Sequence, residues 1–182
     1  MSQSWCIDQK QVFFTGHSDG GTVAHVLAQR ATQSGEDTQP LQKDATIDNG
    51  ELIRPAKIAP SAAGVTEENL TAIGCRHQIP IMVMHGAADA LFPAYGQSAR
   101  NWWLTCNECK QNATPTINGC KHYKQCAERT EVIYCESAGG HRQWEQSREQ
   151  ILDFFLRSNY PSGGSSAAIV DSVDDNRVDG LE

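Results

Sequence analysis

The sequence has no excess of basic residues and no long apolar run. Its 15 Lys and Arg residues stand against 22 Asp and Glu residues, which gives a formal net charge of −7. A protein that binds nucleic acid needs a positively charged surface for the phosphates, so this balance excludes that class of partner. No stretch approaches the roughly 20 apolar residues of a membrane-spanning helix, so we expect no membrane partner either.

The first residues also lack the features of a secretory signal peptide, since Met1–Cys6 has neither a basic start nor an apolar centre. Cysteine, in contrast, is plentiful, with seven residues in 182. Such a content is typical of proteins that fold in an oxidising compartment. Cytosolic residence would explain the missing signal, but a missing N-terminus explains both observations. We therefore expect the full-length protein to be extracellular.

The length of 182 residues suits one domain, which we assign to residues 1–159. Residues 33–54 are polar and without periodicity, which predicts a surface insertion. Residues 107–128 are rich in Cys, Asn and Thr, which predicts a cross-linked loop. From residue 160 onward the chain is first rich in Pro, Gly and Ser and then acidic, with a net charge of −4. This composition predicts a disordered tail or linker.

Four stretches with the composition of strands alternate with stretches of helical periodicity. The predicted strands are 11–16, 56–62, 79–86 and 130–137, and the predicted helices are about 21–32, 96–106 and 143–158. This alternation predicts an α/β fold with a parallel sheet. The strand at 79–86 is apolar almost throughout, which is typical of a strand covered on both faces.

The most informative stretch is Gly16-His17-Ser18-Asp19-Gly20-Gly21, which joins a predicted strand to a predicted helix. Strand, G-x-S-x-G and helix together predict a nucleophile elbow, a sharp turn that exposes the Ser18 hydroxyl above the sheet. Because the turn is tight, we expect a β-carbon at Gly16 or Gly20 to clash. The backbone N–H of Asp19 is then aimed at the position of a reacting oxyanion. An ordinary glycine-rich turn is the alternative.

A serine nucleophile needs a base, and the base needs an acid to hold it. Asp89 follows the third predicted strand, and His141 follows the fourth after two glycines. Active-site groups of open α/β sheets collect at the carboxyl ends of the strands. The order Ser18, Asp89, His141 is also the chain order of nucleophile, acid and base after such an elbow. We therefore predict these three roles for these residues.

Four further residues are candidates for a substrate pocket. His17 lies inside the elbow and is expected to point away from the attacking face of Ser18, as a packing or pocket residue. Phe92, Tyr95 and Trp144 flank the loops of the predicted acid and base. Each of these aromatic side chains has two interpretations, the lining of an acyl or aromatic pocket and ordinary packing.

Several motifs together resemble the polyhydroxybutyrate depolymerase/feruloyl esterase group, over about residues 5 to 157. They are Gly16-His-Ser-Asp-Gly-Gly, Ile58-Ala-Pro-Ser-Ala-Ala-Gly, His85-Gly-Ala-Ala-Asp89 with Pro93, and Gly139-Gly-His141 with Trp144. The group consists of secreted α/β-hydrolase esterases. The resemblance implies a serine carboxylic-ester hydrolase with Ser18 as nucleophile, Asp89 as acid and His141 as base. It implies a small-molecule or polymer ester as substrate, an acyl-enzyme intermediate and no metal or organic cofactor.

The chain departs from this group ahead of the elbow. In the α/β-hydrolase fold about four strands precede the nucleophile strand, and the loop after the third supplies a second oxyanion N–H. Only ten residues precede that strand here. We therefore expect a partial α/β-hydrolase fold without its N-terminal strands, belonging to a longer hydrolase. Its first strand would expose an edge through which the chain could self-associate. A catalytically inactive fragment or interaction module is the alternative function.

The cysteine-rich loop and its surroundings allow a further interpretation. Five side chains there are of zinc-ligand type: Cys106, Cys109, Cys120, His122 and Cys126. A C-x2-C pair chelates zinc well, which makes a zinc-stabilised binding domain a weaker alternative, but the second pair is spaced too widely for a usual zinc knuckle. The resemblance favours disulfides instead. An odd total leaves at least one cysteine unpaired within the chain, with Cys6 or Cys75 as candidates.

Overall fold

The computed structural model describes residues 6–30, 54–116, 119–127, 129–143 and 148–157. The predicted acidic tail, Trp144 and all of the predicted insertion except Arg54 lie outside the described residues. The fold is of the α/β class, as predicted, with a mixed sheet and helices on both of its faces.

Six strands form one sheet within the described residues. They are β1 (Phe13–His17), β2 (Lys57–Ser61), β3 (Ile81–Gly86), β4 (Thr114–Pro115), β5 (Lys121–Tyr123) and β6 (Val132–Ser137). Their order across the sheet is β1-β2-β3-β6-β5-β4. The first four in this order are parallel, while β5 and β4 add an antiparallel hairpin to the side of β6. The carboxyl ends of β1, β3 and β6 therefore meet at one edge, where the predicted nucleophile, acid and base follow them.

The described helices are α1 (Asp19–Arg30), α2 (Glu67–Ile73), α3 (Tyr95–Cys106) and α4 (Arg148–Leu156), and a single 3-10 turn (Gln9–Gln11) precedes β1. The sequence did not predict α2. It begins at a capping box in which the side chains of Thr66 and Asn69 each accept a hydrogen bond from the other's backbone N–H. None of the described helices has the length and apolar character needed to cross a bilayer.

The sheet is buried on both faces. Ile81 and Val83 of β3 pack with Trp103 of α3 in one cluster, while Met82 and Met84 pack with the Phe residues of α4 in the other. All six residues of β3 are buried. The near-continuous apolar run of β3 is therefore explained by burial on both faces, as the sequence predicted, because such a strand has no side that contacts water.

Three disulfides cross-link the described chain: Cys75–Cys106, Cys109–Cys126 and Cys120–Cys135. The four cysteines of the candidate zinc site therefore carry no thiolate to bind a metal, and that interpretation is wrong. Cys75 has a partner, while Cys6 is free and exposed. The segment 107–128 is cross-linked as predicted, but it is more than a loop because it contains β4 and β5.

Candidate active site

Ser18 lies at the junction of β1 and α1 in a strained turn. Its φ is +55°, a left-handed value that is unusual for a residue with a side chain. Its N–H donates to the Ser61 carbonyl oxygen over 2.9 Å, which ties the turn to the end of β2. The side chain is half-buried. Local strain and a neighbouring strand thus hold the hydroxyl at the carboxyl edge of the sheet.

The glycines of the elbow differ in what they do. A β-carbon on Gly16 would lie 2.5 Å from the carbonyl carbon and oxygen of Gly20, so the predicted clash at Gly16 is confirmed. A β-carbon on Gly20 would meet nothing within 4 Å, so the predicted clash at Gly20 is wrong. Gly21 has the second steric constraint, because its β-carbon would lie 2.8 Å from the Ser61 carbonyl oxygen. The packing of α1 against β2 therefore selects Gly21.

Asp89 lies in the turn after β3, with a side chain that has no exposed surface. Its Oδ1 accepts hydrogen bonds from the backbone N–H groups of Leu91 and Phe92, each over 2.9 Å. Burial by itself raises the pKa of Asp89, but the Phe92 N–H, the His141 ring and the Leu91 N–H outweigh it and hold this pKa below its usual value. The carboxylate is therefore ionised at neutral pH.

His141 lies between Asp89 and Ser18 in the loop that follows β6. Its Nδ1 is 2.9 Å from Asp89 Oδ2, and its Nε2 is 2.9 Å from Ser18 Oγ. An ionised carboxylate can only accept, so Nδ1 carries the proton and donates it. In the neutral ring Nε2 is then the acceptor for the Ser18 hydroxyl. The sheet thus brings together the three predicted residues in a chain that can move a proton from the hydroxyl to the ring.

The backbone N–H of Asp19 is the first of α1 and finds no hydrogen-bond acceptor among the described residues. Such free N–H groups at a helix N-terminus, together with the helix dipole, attract negative charge. Asp19 directly follows Ser18 and is exposed. This N–H is therefore available to an anion that forms beside the Ser18 hydroxyl.

Aromatic side chains border the site on the side of Asp89. The Phe92 ring meets the His141 ring edge-on, with centroids 5.0 Å apart, and Tyr95 stacks on Phe92 at 5.4 Å. A β-carbon on Gly64 would lie 2.7 Å from the Phe92 ring, so this glycine makes room for it. Phe92 thus lies beside the His141 ring, and Tyr95 lies next to Phe92, stacked on its ring.

Two polar residues near the site hold its loops. His85 donates from Nε2 to the Phe92 carbonyl oxygen over 2.9 Å, which closes the turn that contains Asp89. Ser61, which the sequence did not single out, accepts from the Ser18 N–H through its carbonyl and contacts the His17 ring through its hydroxyl. Its position at the carboxyl end of β2 is a signal that could have identified it. No group of three or more metal-ligating side chains lies together within the described residues.

No family model and no curated protein matches this sequence. A solved structure that is similar to it is described as a truncated form of a carbohydrate esterase from gut microbiota. The two share 14% sequence identity and a TM-score of 0.51, over 84% of this chain. The present chain spans 61% of the length of that protein. At this identity the likeness concerns the fold alone, and the two chains share an α/β fold.

Proposed function

We propose that this chain is a serine carboxylic-ester hydrolase built on part of an α/β-hydrolase fold, of the polyhydroxybutyrate depolymerase/feruloyl esterase type. The observation that supports this function is the hydrogen-bonded chain from Ser18 through His141 to Asp89, with 2.9 Å at both steps. The strained φ of Ser18 and the available N–H of Asp19 agree with it. The proposed nucleophile, base, acid and oxyanion donor lie together at one sheet edge, as such a reaction requires.

In the proposed reaction His141 Nε2 takes the proton of the Ser18 hydroxyl as the oxygen attacks an ester carbonyl. Asp89 stabilises the imidazolium that forms, and the Asp19 N–H donates to the oxyanion. The ring then gives its proton to the leaving alcohol, and an acyl-enzyme remains on Ser18. Water then attacks the acyl carbon as it gives a proton to His141, the bond to Ser18 Oγ breaks, and the ring returns that proton to Ser18 Oγ as the acid leaves. No metal or organic cofactor takes part in these steps.

The proposed substrates are small-molecule or polymer esters. The similar solved structure is described as a carbohydrate esterase, which favours esters attached to carbohydrate as the first to test. The Phe92 ring beside His141, with Tyr95 stacked on it, offers an apolar wall for an acyl group. We further propose that the protein is extracellular, because three disulfides are characteristic of an oxidising compartment.

A fluorophosphonate probe tests the proposal directly, because it reacts only with a serine whose hydroxyl is activated. The wild-type chain should be labelled, with the adduct on the Ser18 peptide by mass spectrometry. Ser18→Ala should remove the labelling. Ser98→Ala, which changes a half-buried serine on α3 instead, is the matched control and should leave it intact. Hydrolysis of p-nitrophenyl acetate should follow the same pattern.

A folded wild-type sample in which Ser18 stays unlabelled would contradict the active enzyme. It would favour the second candidate, an inactive fragment or interaction module. One observation supports that candidate independently, since β1 pairs with β2 and no other described strand pairs with its outer edge. An open strand edge is a template for pairing with another chain, including a second copy. Sedimentation velocity across a concentration series separates a monomer from such an assembly.

A further inference from the structure

His17 joins the end of β1 to the loop of the proposed base. Its Nε2 is 2.7 Å from the carbonyl oxygen of His141, and its Nδ1 is 3.1 Å from Ser61 Oγ. A carbonyl oxygen can only accept, so Nε2 carries the proton. Nδ1 of the neutral ring is then an acceptor, and the Ser61 hydroxyl donates to it. Both ring nitrogens are therefore bonded to protein, which argues against a role for them in binding substrate.

The bond from His17 completes a second attachment of the base to the nucleophile strand. The ring of His141 is bonded through Nε2 to Ser18, and its backbone carbonyl is bonded to His17. The consecutive residues His17 and Ser18 thus hold His141 at its main chain and at its side chain, respectively. They do so across a sequence separation of 124 between His17 and His141.

The loop around His141 depends on such an attachment. It begins after β6, and the Gly139 carbonyl oxygen ahead of His141 already accepts from the Ala88 N–H over 3.0 Å. The His17 bond extends this attachment to the main chain of His141 itself. The His141 ring is 17% exposed, so packing alone does not enclose it. A fixed donor at the carbonyl removes one way in which the loop, and with it the ring, could rotate away from Ser18.

We propose that His17 is a positioning residue that sets the orientation of His141 by holding its backbone carbonyl. The assignment rests on the proposed hydrolase function. Ser61 takes part by fixing the tautomer of His17, and Ser61 has no exposed surface, so water does not compete for this bond. The residue before the proposed nucleophile thus has a role distinct from that of Gly16 and Gly21, which act through sterics.

Two variants of similar length test this role. His17→Gln keeps an N–H donor for the His141 carbonyl and an oxygen that can accept from Ser61, whereas His17→Met keeps the bulk and removes both groups. With p-nitrophenyl acetate, His17→Met should lower kcat by about 10- to 100-fold, because small misplacements of a reacting group have effects of that order. KM should change by less than about twofold, since ground-state binding is untouched. His17→Gln should recover most of kcat.

A second readout does not depend on activity. The ¹⁵N chemical shifts of the His141 ring report the fraction of the tautomer with the proton on Nδ1. This fraction should be high in the wild type and in His17→Gln, and lower in His17→Met. If the wild type neither hydrolyses esters nor reacts with the probe, the proposed function fails, and the ring shifts still decide whether His17 positions His141.

Unchanged kcat and ring shifts in His17→Met would overturn the inference. Equal losses in the Met and Gln variants would also overturn it, because packing alone would then explain them. If His17→Met does not fold, Ser61→Ala replaces it, since it removes the partner of Nδ1 and leaves the His17 donor in place. Ser61→Ala should lower kcat by several-fold without raising KM, and a wild-type kcat in that variant would equally contradict the role.

Discussion

The end of β3 and the loop of His141 touch at Gly86 and Gly139. A β-carbon on Gly86 would lie 2.2 Å from the Gly139 carbonyl oxygen, which is far inside contact distance. Two backbone hydrogen bonds run across the same junction, from Ala87 N to Ser137 O over 2.8 Å and from Ala88 N to Gly139 O over 3.0 Å. The turn that presents Asp89 and the loop that presents His141 are therefore one packed unit.

We expect Gly86→Ala to separate these two loops. The methyl group has backbone on its far side, so the main chain must shift, at a cost of about 1–3 kcal/mol in the free energy of unfolding. The Asp89–His141 distance should lengthen and kcat should fall. Urea unfolding and ester hydrolysis measure the two effects. Gly140→Ala is the control for stability, because its β-carbon would lie 3.4 Å from the Ala88 carbonyl oxygen, an ordinary contact. Equal stability of the two variants would contradict the argument.

Gly16 and Gly20 offer a matched pair within the elbow. Gly16→Ala would place a methyl group 2.5 Å from the Gly20 backbone and should prevent the turn from forming, with loss of probe labelling and a lower Tm. The methyl group of Gly20→Ala would have no atom within 4 Å. The position lies in the first turn of α1, where alanine is a better helix former than glycine by about 1 kcal/mol. The Gly20→Ala variant should fold as stably as the wild type or more so. Circular dichroism melts and labelling of both variants are the measurements.

Asp89→Asn tests the proposed acid. Asparagine retains an oxygen for the N–H groups of Leu91 and Phe92 but carries no charge for the His141 ring. We expect kcat to fall on the order of 10⁴-fold, as in other hydrolases in which the histidine then takes the wrong tautomer. Asp153→Asn, at an exposed position of α4, is the control and should keep full activity. A loss of less than tenfold in Asp89→Asn would argue against the role.

His25 should make the stability of the fold depend on pH. It has no exposed surface, it accepts a hydrogen bond from Trp103 Nε1 over 2.9 Å, and burial lowers its pKa to about 3. In the unfolded chain a histidine binds a proton below about 6.5, while the folded state does not until about 3. The unfolded state therefore binds more protons in this window, and stability falls as the pH decreases from 6.5 toward 3.

His25→Gln removes this titration and retains an acceptor for the indole. Its free energy of unfolding should be lower than that of the wild type at pH 7. Between pH 6 and 4 the slope of this free energy against pH should be smaller than in the wild type by up to about 1.4 kcal/mol per pH unit. Denaturant titrations of both proteins at several pH values give this slope. Parallel curves for the wild type and the variant would exclude His25 as the source.

The sequence predicted the main elements because their burial is extreme. Residues Ile81–Met84 of β3 are apolar on both faces of the sheet. Ser18, Asp89 and His141, which follow β1, β3 and β6, were predicted from the rule that parallel strands present groups at one edge. The sequence did not predict β5, because Lys121–Tyr123 is only three residues long and too short to show the alternation of buried and exposed residues that indicates a strand. It exists through its pairing with β6, next to the Cys120–Cys135 disulfide. The contact of His17 with the His141 carbonyl depends on how a glycine-containing loop closes, which no local pattern encodes.

The overlap of two disulfides has a consequence for cleavage of the chain. Cys109–Cys126 and Cys120–Cys135 close loops that share residues 120–126. A peptide bond broken anywhere between residues 109 and 135 is therefore spanned by at least one of the two bridges. The pieces would separate only on reduction, and the loop of His141 would stay attached to β3 after a single cut. A protein exposed to proteases outside the cell would in this way survive a nick as one covalent molecule.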